Sequence, residues 1–135
     1  MSSILSLCVP ALGATTPLIL GRVDAVLCKT RFEKTRDSVQ IALAEVLNNV
    51  IEHGYRHAYA GSVAVNLSDE NGVLRIMVTD WGQAYPDHAV PDGTLPDPTE
   101  MSEGGYGWFL IKTLMTDVTY ERQLGANHLS LRLAV

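Results

Sequence analysis

The sequence predicts an α+β fold, a two-layer sandwich in which a mixed, mostly antiparallel sheet is covered on one face by about three helices. The clearest observation behind this prediction is a hairpin signal, two alternating apolar runs joined by Asn71-Gly72. The second is the order of elements, since two helical patterns precede that hairpin and a third separates it from two further strands. No second composition regime marks another domain, so we expect a single domain over 1–135.

The first part of the chain predicts one strand and two helices. A short apolar strand covers about 3–9, and Thr16-Pro17 begins a helix that extends to about residue 34. A second helix covers about 37–53 and ends at Gly54. These helices are expected to cover the sheet.

The hairpin fixes its own register. A two-residue Asn-Gly turn pairs Leu67 with Ile76 and Val65 with Val78, so that apolar residues meet on one face. Beyond it, a helix is expected over about 106–115 and two strands over about 118–123 and 128–135, joined near Gly125.

Composition excludes several classes of protein. The net charge is −5 and there is no basic run, which disfavours a nucleic-acid binder. Cys8 and Cys28 are too few for a metal knuckle or a disulfide framework, and we interpret both as small core residues. The apolar start lacks a preceding basic residue, and no run approaches a membrane span of about 18 residues. We expect a cytoplasmic protein without a membrane segment.

An acidic, proline-rich segment follows the hairpin. Between Gln83 and Glu103 there are five acids and no Lys or Arg, which leaves ten acids and ten bases in the rest of the chain. The same segment holds four of the six prolines. A long stretch without hydrophobic periodicity is typical of a lid or binding loop, or of disorder.

The second helix has a polar face opposite its apolar stripe. Glu45 and Asn49 are neighbours there, one turn apart, and His53 lies on the same side. A carboxylate and an amide oxygen in this arrangement suit a hard cation such as Mg²⁺ or can position a nucleophile. A solvated helix face is the simpler alternative for such a pattern.

Two further segments carry candidate binding residues. Asp80-Trp81-Gly82 ends the second hairpin strand, where a buried carboxylate accepts a hydrogen bond and a glycine gives room for a flat ring; the alternative is a turn cap. Gly104-Gly105-Tyr106-Gly107 opens a helix, where backbone N–H groups cradle phosphates; the alternative is a hinge.

A fourth candidate site contains the residue types of a metal site. Glu52-His53 with His57 reverses the His-Glu-x-x-His order of zinc proteases, and Gly54 ends the helix between the two imidazoles. We therefore disfavour a zinc site.

In combination, these segments resemble the GHKL superfamily, whose ATP-binding domain has the Bergerat fold. ALAEVLNNVIEHGY (42–55), VTDWGQAYP (78–86) and EGGYGWFLIKTLMTDVTYER (103–122) are similar to the anti-sigma-factor serine kinases of partner-switching systems. The resemblance implies a cytoplasmic homodimer that uses ATP and Mg²⁺. It also implies two protein partners, a sigma factor and a STAS-domain antagonist phosphorylated on serine.

The resemblance also implies roles for individual residues. Asn49 would ligate Mg²⁺, and Glu45 would be the general base or hold a water of the metal. Asp80 would accept a hydrogen bond from the adenine amino group, with Gly82 beside the ring. The remaining residues expected to bind the nucleotide are Gly104, Gly105, Gly107, His53 and Lys112, with a lid over about 83–107.

The chain departs from the family pattern at three points. Tyr106 replaces a basic residue, the predicted lid contains no Lys or Arg, and Asn127 or His128 stands where a hydroxyl is expected. Two alternatives to a kinase therefore stay open: a nucleotide-binding regulatory switch, and the catalytic half of a histidine-kinase-like relay.

Overall fold

The computed structural model of the chain describes residues 1–56, 61–92 and 105–135. Its strands are β1 (Ser2–Pro10), β2 (Ser62–Glu70), β3 (Val73–Asp80), β4 (Asp117–Gln123) and β5 (Ala126–Ala134). Its α-helices are α1 (Thr16–Leu27), α2 (Arg36–Asn49) and α3 (Gly105–Leu114). Short 3-10 turns lie at Gly13–Thr15, Glu33–Thr35 and Pro86–His88, and a π-helical turn at Val50–Gly54 continues α2.

The five strands form one sheet in the order β1-β2-β3-β5-β4. The predicted α+β sandwich is confirmed, although every pairing in this sheet is antiparallel rather than mixed. The chain leaves β1 at Pro10, passes through two helices and returns at Ser62, which pairs with Pro10. Strand β2 therefore runs back along β1, and two tight hairpins supply two of the other pairings.

The predicted hairpin register is confirmed. Leu67 pairs with Ile76 and Val65 with Val78, and all four side chains are at most 1% exposed. Asn71 and Gly72 have positive φ angles of 53° and 93°, as a type I′ turn requires. This register places one apolar face of the sheet against the helices.

The helices cover that face, and the apolar stripe predicted for α2 packs on it and continues into the π-helical turn. Leu43, Val46, Leu47 and Val50 are at most 2% exposed. Helix α1 ends at Leu27, earlier than expected, because the Thr30 hydroxyl donates to the Leu27 carbonyl at 2.9 Å. The chain then turns and buries Phe32 completely.

The interpretation of both cysteines as core residues is wrong. Cys8 and Cys28 are exposed. The alternation of β1 directs Leu7 and Val9 toward the helices and Cys8 toward the uncovered face of the sheet, while Cys28 follows the last residue of α1. Across the three described ranges, none of the helices has both the length and the apolar character needed to cross a membrane.

Candidate functional site

Helices α2 and α3 meet at the polar face of α2. A Cβ built on Gly107 would lie 2.7 Å from Oε2 of Glu45, closer than such contacts occur in proteins. Glycine at this position therefore lets the first turn of α3 approach the Glu45 carboxylate. The first turn of a helix carries N–H groups without intrahelical partners, so a carboxylate and backbone donors lie side by side here.

Asn49 lies one turn beyond Glu45 and carries an unusual polar atom. Its Nδ2 is buried and has no hydrogen-bond partner within the described residues. Buried polar atoms are almost always paired, so this one points to a partner outside the described residues. The two ends of a side-chain amide are assigned from their hydrogen bonds, and exchanging them places Oδ1 in the same position. An amide oxygen there fits a hard cation such as Mg²⁺.

The polar face of α2 is therefore not uniformly solvated. Asn48 is exposed, whereas Glu45 and Asn49 are partly buried beneath α3. The alternative of a plain solvated face holds for Asn48 alone among these three.

Immediately after Asn49 the helix widens into a π-helical turn. The N–H of Tyr55 bonds the carbonyl of Val50 at 2.9 Å, and the turn brings Gly54 against the end of β3. The Gly54 carbonyl accepts from the N–H of Gln83 at 2.8 Å. Single π-helical turns occur often at functional sites. The sequence located the end of this segment at Gly54 but gave no signal for its wider winding.

Asp80, the last residue of β3, is buried, with 2% of its surface exposed. Its Oδ1 accepts hydrogen bonds from the N–H of Gly82 and from Nδ2 of Asn127, both at 2.9 Å. Burial raises the pKa of the Asp80 carboxyl, and the two hydrogen bonds oppose that rise. The buried-acceptor and turn-cap interpretations are thus both met, because Oδ1 caps the turn while Oδ2 receives no bond from the described residues.

Gly82 is required by the backbone of the π-helical turn. A Cβ at Gly82 would lie 2.4 Å from the carbonyl oxygen of Gly54. The neighbour that demands glycine here is therefore the Gly54 backbone, which differs from the room for a flat ring inferred from the sequence. The contact joins the root of the lid to the end of α2.

Asn127 on β5 is the site residue whose role the sequence left open. It pairs in register with Asp80 and is fully buried, whereas its neighbour His128 lies on the opposite face of the sheet near Thr79. Its Oδ1 accepts from the Tyr120 hydroxyl at 2.6 Å and from Nη1 of Arg122 at 3.0 Å. The alternation of β5 could have indicated which of the two residues faces inward.

Aromatic rings fix the beginning of the lid. Tyr85 stacks on Tyr120 with ring centroids 4.1 Å apart and meets Trp108 edge-on at 5.7 Å. The N–H of Tyr85 also donates to the Tyr120 hydroxyl at 3.2 Å. Burial raises the pKa of the Tyr85 hydroxyl well above its usual value. The segment that follows β3 is therefore held against the sheet as far as Tyr85.

The remaining predicted residues are distributed as follows. His53 is exposed in the π-helical turn, and Lys112 lies in the last turn of α3, about 140° around that helix from Gly107. No hydrogen bond among the described residues joins either side chain to Asp80 or Asn49. Gly105 is the first residue of α3. Gly104, His57 and residues 93–104 of the predicted lid lie outside the described residues.

Comparison with known proteins identifies the family. The sequence profile described as histidine kinase-like ATPase domain matches residues 9–133. The chain belongs to this family. The resemblance drawn from the three motifs is thereby confirmed.

Proteins similar to this ATPase domain include bacterial serine kinases. It is 29% identical over 94 residues to the serine-protein kinase RsbW of Oceanobacillus iheyensis, covering 66% of this chain and 60% of that protein. It is 26% identical over 110 residues to an anti-sigma F factor of Geobacillus stearothermophilus, covering 77% of this chain and 74% of that protein. The match thus spans less than two thirds of the RsbW kinase.

A solved structure shares the fold of this ATPase domain. It contains the RsbU and RsbW domains of Rv1364c from Mycobacterium tuberculosis, with a TM-score of 0.65 and 15% identity. The similarity covers 96% of this chain and 31% of that one.

Proposed function

We propose that the protein is an ATP- and Mg²⁺-dependent serine protein kinase that acts as an anti-sigma factor. It would phosphorylate a STAS-domain antagonist and otherwise hold a sigma factor. The observation that carries this proposal is the Glu45 carboxylate against Gly107, one helical turn from Asn49, whose buried Nδ2 has no partner among the described residues. The names of its relatives, a serine-protein kinase and an anti-sigma F factor, support the same reading.

Nucleotide binding would use the end of β3, the polar face of α2 and the beginning of α3. Asp80 would accept from the adenine amino group, and the backbone of Gly104, Gly105 and Gly107 would hold the phosphates at the beginning of α3. Asn49 would hold Mg²⁺ through its amide oxygen. When bound, the metal supplies positive charge that neutralises the phosphate oxygens during transfer.

Glu45 would act as the general base. Its carboxylate lies where the first turn of α3 begins, so a serine hydroxyl positioned there loses its proton as the phosphoryl group is transferred. Phosphoryl transfer depends mainly on positioning and charge stabilisation, which a carboxylate beside the backbone N–H groups of a helix start provides.

The outer parts of the site belong to the same proposal. We assign a lid to about 83–107, clamped at its root as far as Tyr85. His53 and Lys112 would complete the nucleotide contacts. The chain would form one domain and pair with a second copy through β1, an edge strand flanked by Leu18, which is 68% exposed.

A nucleotide-binding switch that transfers phosphate slowly or never is a second candidate. Its support is the charge of the lid, since 83–103 contains no Lys or Arg, and Tyr106 is 48% exposed in the first turn of α3. Such a lid offers no cationic side chain to the triphosphate, which weakens stabilisation of the transferring group more than binding.

One assay separates the two candidates. The protein is incubated with γ-labelled ATP, Mg²⁺ and a candidate STAS-domain antagonist, and phosphoserine is measured. A kinase gives stoichiometric phosphoserine that disappears in Glu45→Gln but persists in Glu52→Gln, a matched change on the same side of the helix. Saturable ATP binding without phosphoserine would identify the switch, and no ATP binding at all would contradict both.

A further inference from the structure

Every donor and acceptor of the Asn127 side chain is used in hydrogen bonds within the protein. A side-chain amide offers two lone pairs and two N–H groups. The two lone pairs accept from Tyr120 and Arg122, while Nδ2 donates to Asp80 Oδ1 at 2.9 Å and to the Gln83 carbonyl at 2.8 Å. No capacity is left for a nucleotide, so Asn127 does not replace the expected hydroxyl as a ligand contact.

The orientation of this amide is fixed by chemistry. A guanidinium can only donate, so the end of the amide that faces Arg122 must be oxygen. The N–H end then faces Asp80, whose carboxylate has no proton to donate when it is ionised and therefore acts only as an acceptor. Arg122 is itself anchored, because its Nη1 also donates to the Gly82 carbonyl at 2.7 Å.

The orientation of the Asn127 amide determines how the two oxygens of the Asp80 carboxylate are used. Oδ1 receives two donors, from Gly82 and Asn127, while Oδ2 receives none from the described residues. One oxygen is committed to the protein, and the other remains an acceptor in a buried site.

We propose that Asn127 is a positioning residue for base selection, holding Asp80 so that Oδ2 accepts from an amino-purine and repels an oxo-purine. This inference rests on the proposed nucleotide-binding function. Adenine presents an amino group to such an acceptor, whereas guanine presents a carbonyl oxygen at the same ring position. Two facing acceptors in a buried site are unfavourable, because neither is satisfied.

The selection depends on Asp80 being ionised. The charged and titratable groups near it are Arg122 on β4, Tyr55 after the π-helical turn, and Tyr85 in the segment after β3. His128 on β5 lies on the other face of the sheet and also lowers the pKa of Asp80. Burial raises the pKa of Asp80, and the N–H of Asn127 opposes this. Protonated Asp80 can donate to a carbonyl, so discrimination between the two bases falls as the pH is lowered.

The test measures the ratio of the dissociation constants for GTP and ATP by titration with Mg²⁺ between neutral and acidic pH, because burial raises the pKa of the Asp80 carboxyl. The ratio isolates the base, because the phosphates titrate alike in both nucleotides. In the wild type the ratio is expected to favour ATP at neutral pH and to fall as the pH falls.

Asn127→Asp keeps the acceptor for Tyr120 and Arg122 but replaces the donor to Asp80 with a second carboxylate. The ratio is expected to fall about tenfold or more at neutral pH, the loss typical of a charged hydrogen bond. It then rises as the pH falls, because one proton shared between the carboxylates restores the donor. A variant ratio equal to that of the wild type, or one that falls in parallel with it, overturns the inference.

Two further variants keep the result decisive. Ser130→Ala, on the opposite face of β5, is the matched control and leaves the ratio unchanged. Tyr120→Phe removes the hydroxyl that donates to Oδ1 of Asn127, and it is expected to lower the ratio about threefold. If Asn127→Asp does not fold, an unchanged ratio in Tyr120→Phe overturns the inference. If the wild type binds neither nucleotide, the proposed function itself has failed.

Discussion

Gly107 and Glu45 lie in contact across the α2–α3 interface, so close that a Cβ on Gly107 would lie 2.7 Å from the Glu45 Oε2. The distance couples the proposed general base to the first turn of α3. The glycine therefore does more than expose a backbone N–H, because its missing side chain also sets where the carboxylate lies.

Gly107→Ala tests this coupling. The new methyl group displaces the flexible end of Glu45 without removing the N–H of residue 107. We expect phosphoryl transfer to fall about tenfold or more while ATP affinity changes only a few-fold, since misplacing a catalytic group by about 1 Å is costly. Single-turnover rates and ATP titrations measure the two effects. Gly13→Ala, at a glycine with open space around it, is the control. Equal losses in rate and affinity would argue against the coupling.

Asn49→Leu separates function from stability. The buried Nδ2 has no partner among the described residues, so replacing it with a group of similar shape is expected to raise the free energy of unfolding by about 1 kcal/mol. Mg²⁺-dependent ATP affinity is expected to fall at least about tenfold. Urea unfolding and nucleotide titration check both effects, and Asn48→Leu, on the exposed face, controls for the added apolar surface. A variant that still needs Mg²⁺ for tight binding would remove Asn49 from the metal site.

Gly82→Ala is expected to destabilise the fold. The added Cβ would meet the Gly54 carbonyl oxygen at 2.4 Å and its carbon at 2.6 Å, and backbone cannot move aside as a flexible side chain does. Overpacking of this kind costs about 2–3 kcal/mol. Urea unfolding measures it against Gly13→Ala. A cost below about 0.5 kcal/mol, the usual size of a surface change, would mean that the Gly54–Gly82 contact is not rigid.

Asp80→Asn is expected to stabilise the protein at neutral pH. Burial raises the pKa of Asp80 above the unfolded value of 3.8, so the folded state holds the proton more tightly than the unfolded state does. Stability is therefore lost as the pH rises through the folded pKa. Asparagine keeps an acceptor for Gly82 and Asn127 without the buried charge.

Unfolding curves for this variant and the wild type at neutral pH and at acidic pH check the sign. The difference in unfolding free energy should be larger at the higher pH, and Asp92→Asn, an exposed acid, controls for net charge. A difference that is constant with pH, or larger at the lower pH, would contradict the burial cost.

Much of the fold could be predicted because its signals are local. The Asn71-Gly72 turn fixed the β2–β3 register within one hairpin, and the helical period separated the buried Leu43 and Val46 from Glu45 and Asn49. The burial of Asp80 was one of two interpretations of a carboxylate at a strand end, the other being a turn cap.

The parts that were missed depend on distant contacts. The Asn127–Asp80 bond joins residues 47 positions apart and exists only because β5 pairs with β3, which no local pattern specifies. The π-helical turn after Asn49 is stabilised by the Gly54–Gly82 approach rather than by helix propensity. Cys8 was assigned from composition, whereas its strand position decided its exposure.

The central claim is that three separated segments bind one nucleotide together. Backbone amide NMR during titration with MgATP tests it most directly, by following the signals of Asn49, Gly82 and Gly107. We expect all three to shift along one saturable curve with a single dissociation constant. Shifts confined to one segment, curves with different midpoints, or no shifts at millimolar MgATP would contradict the claim.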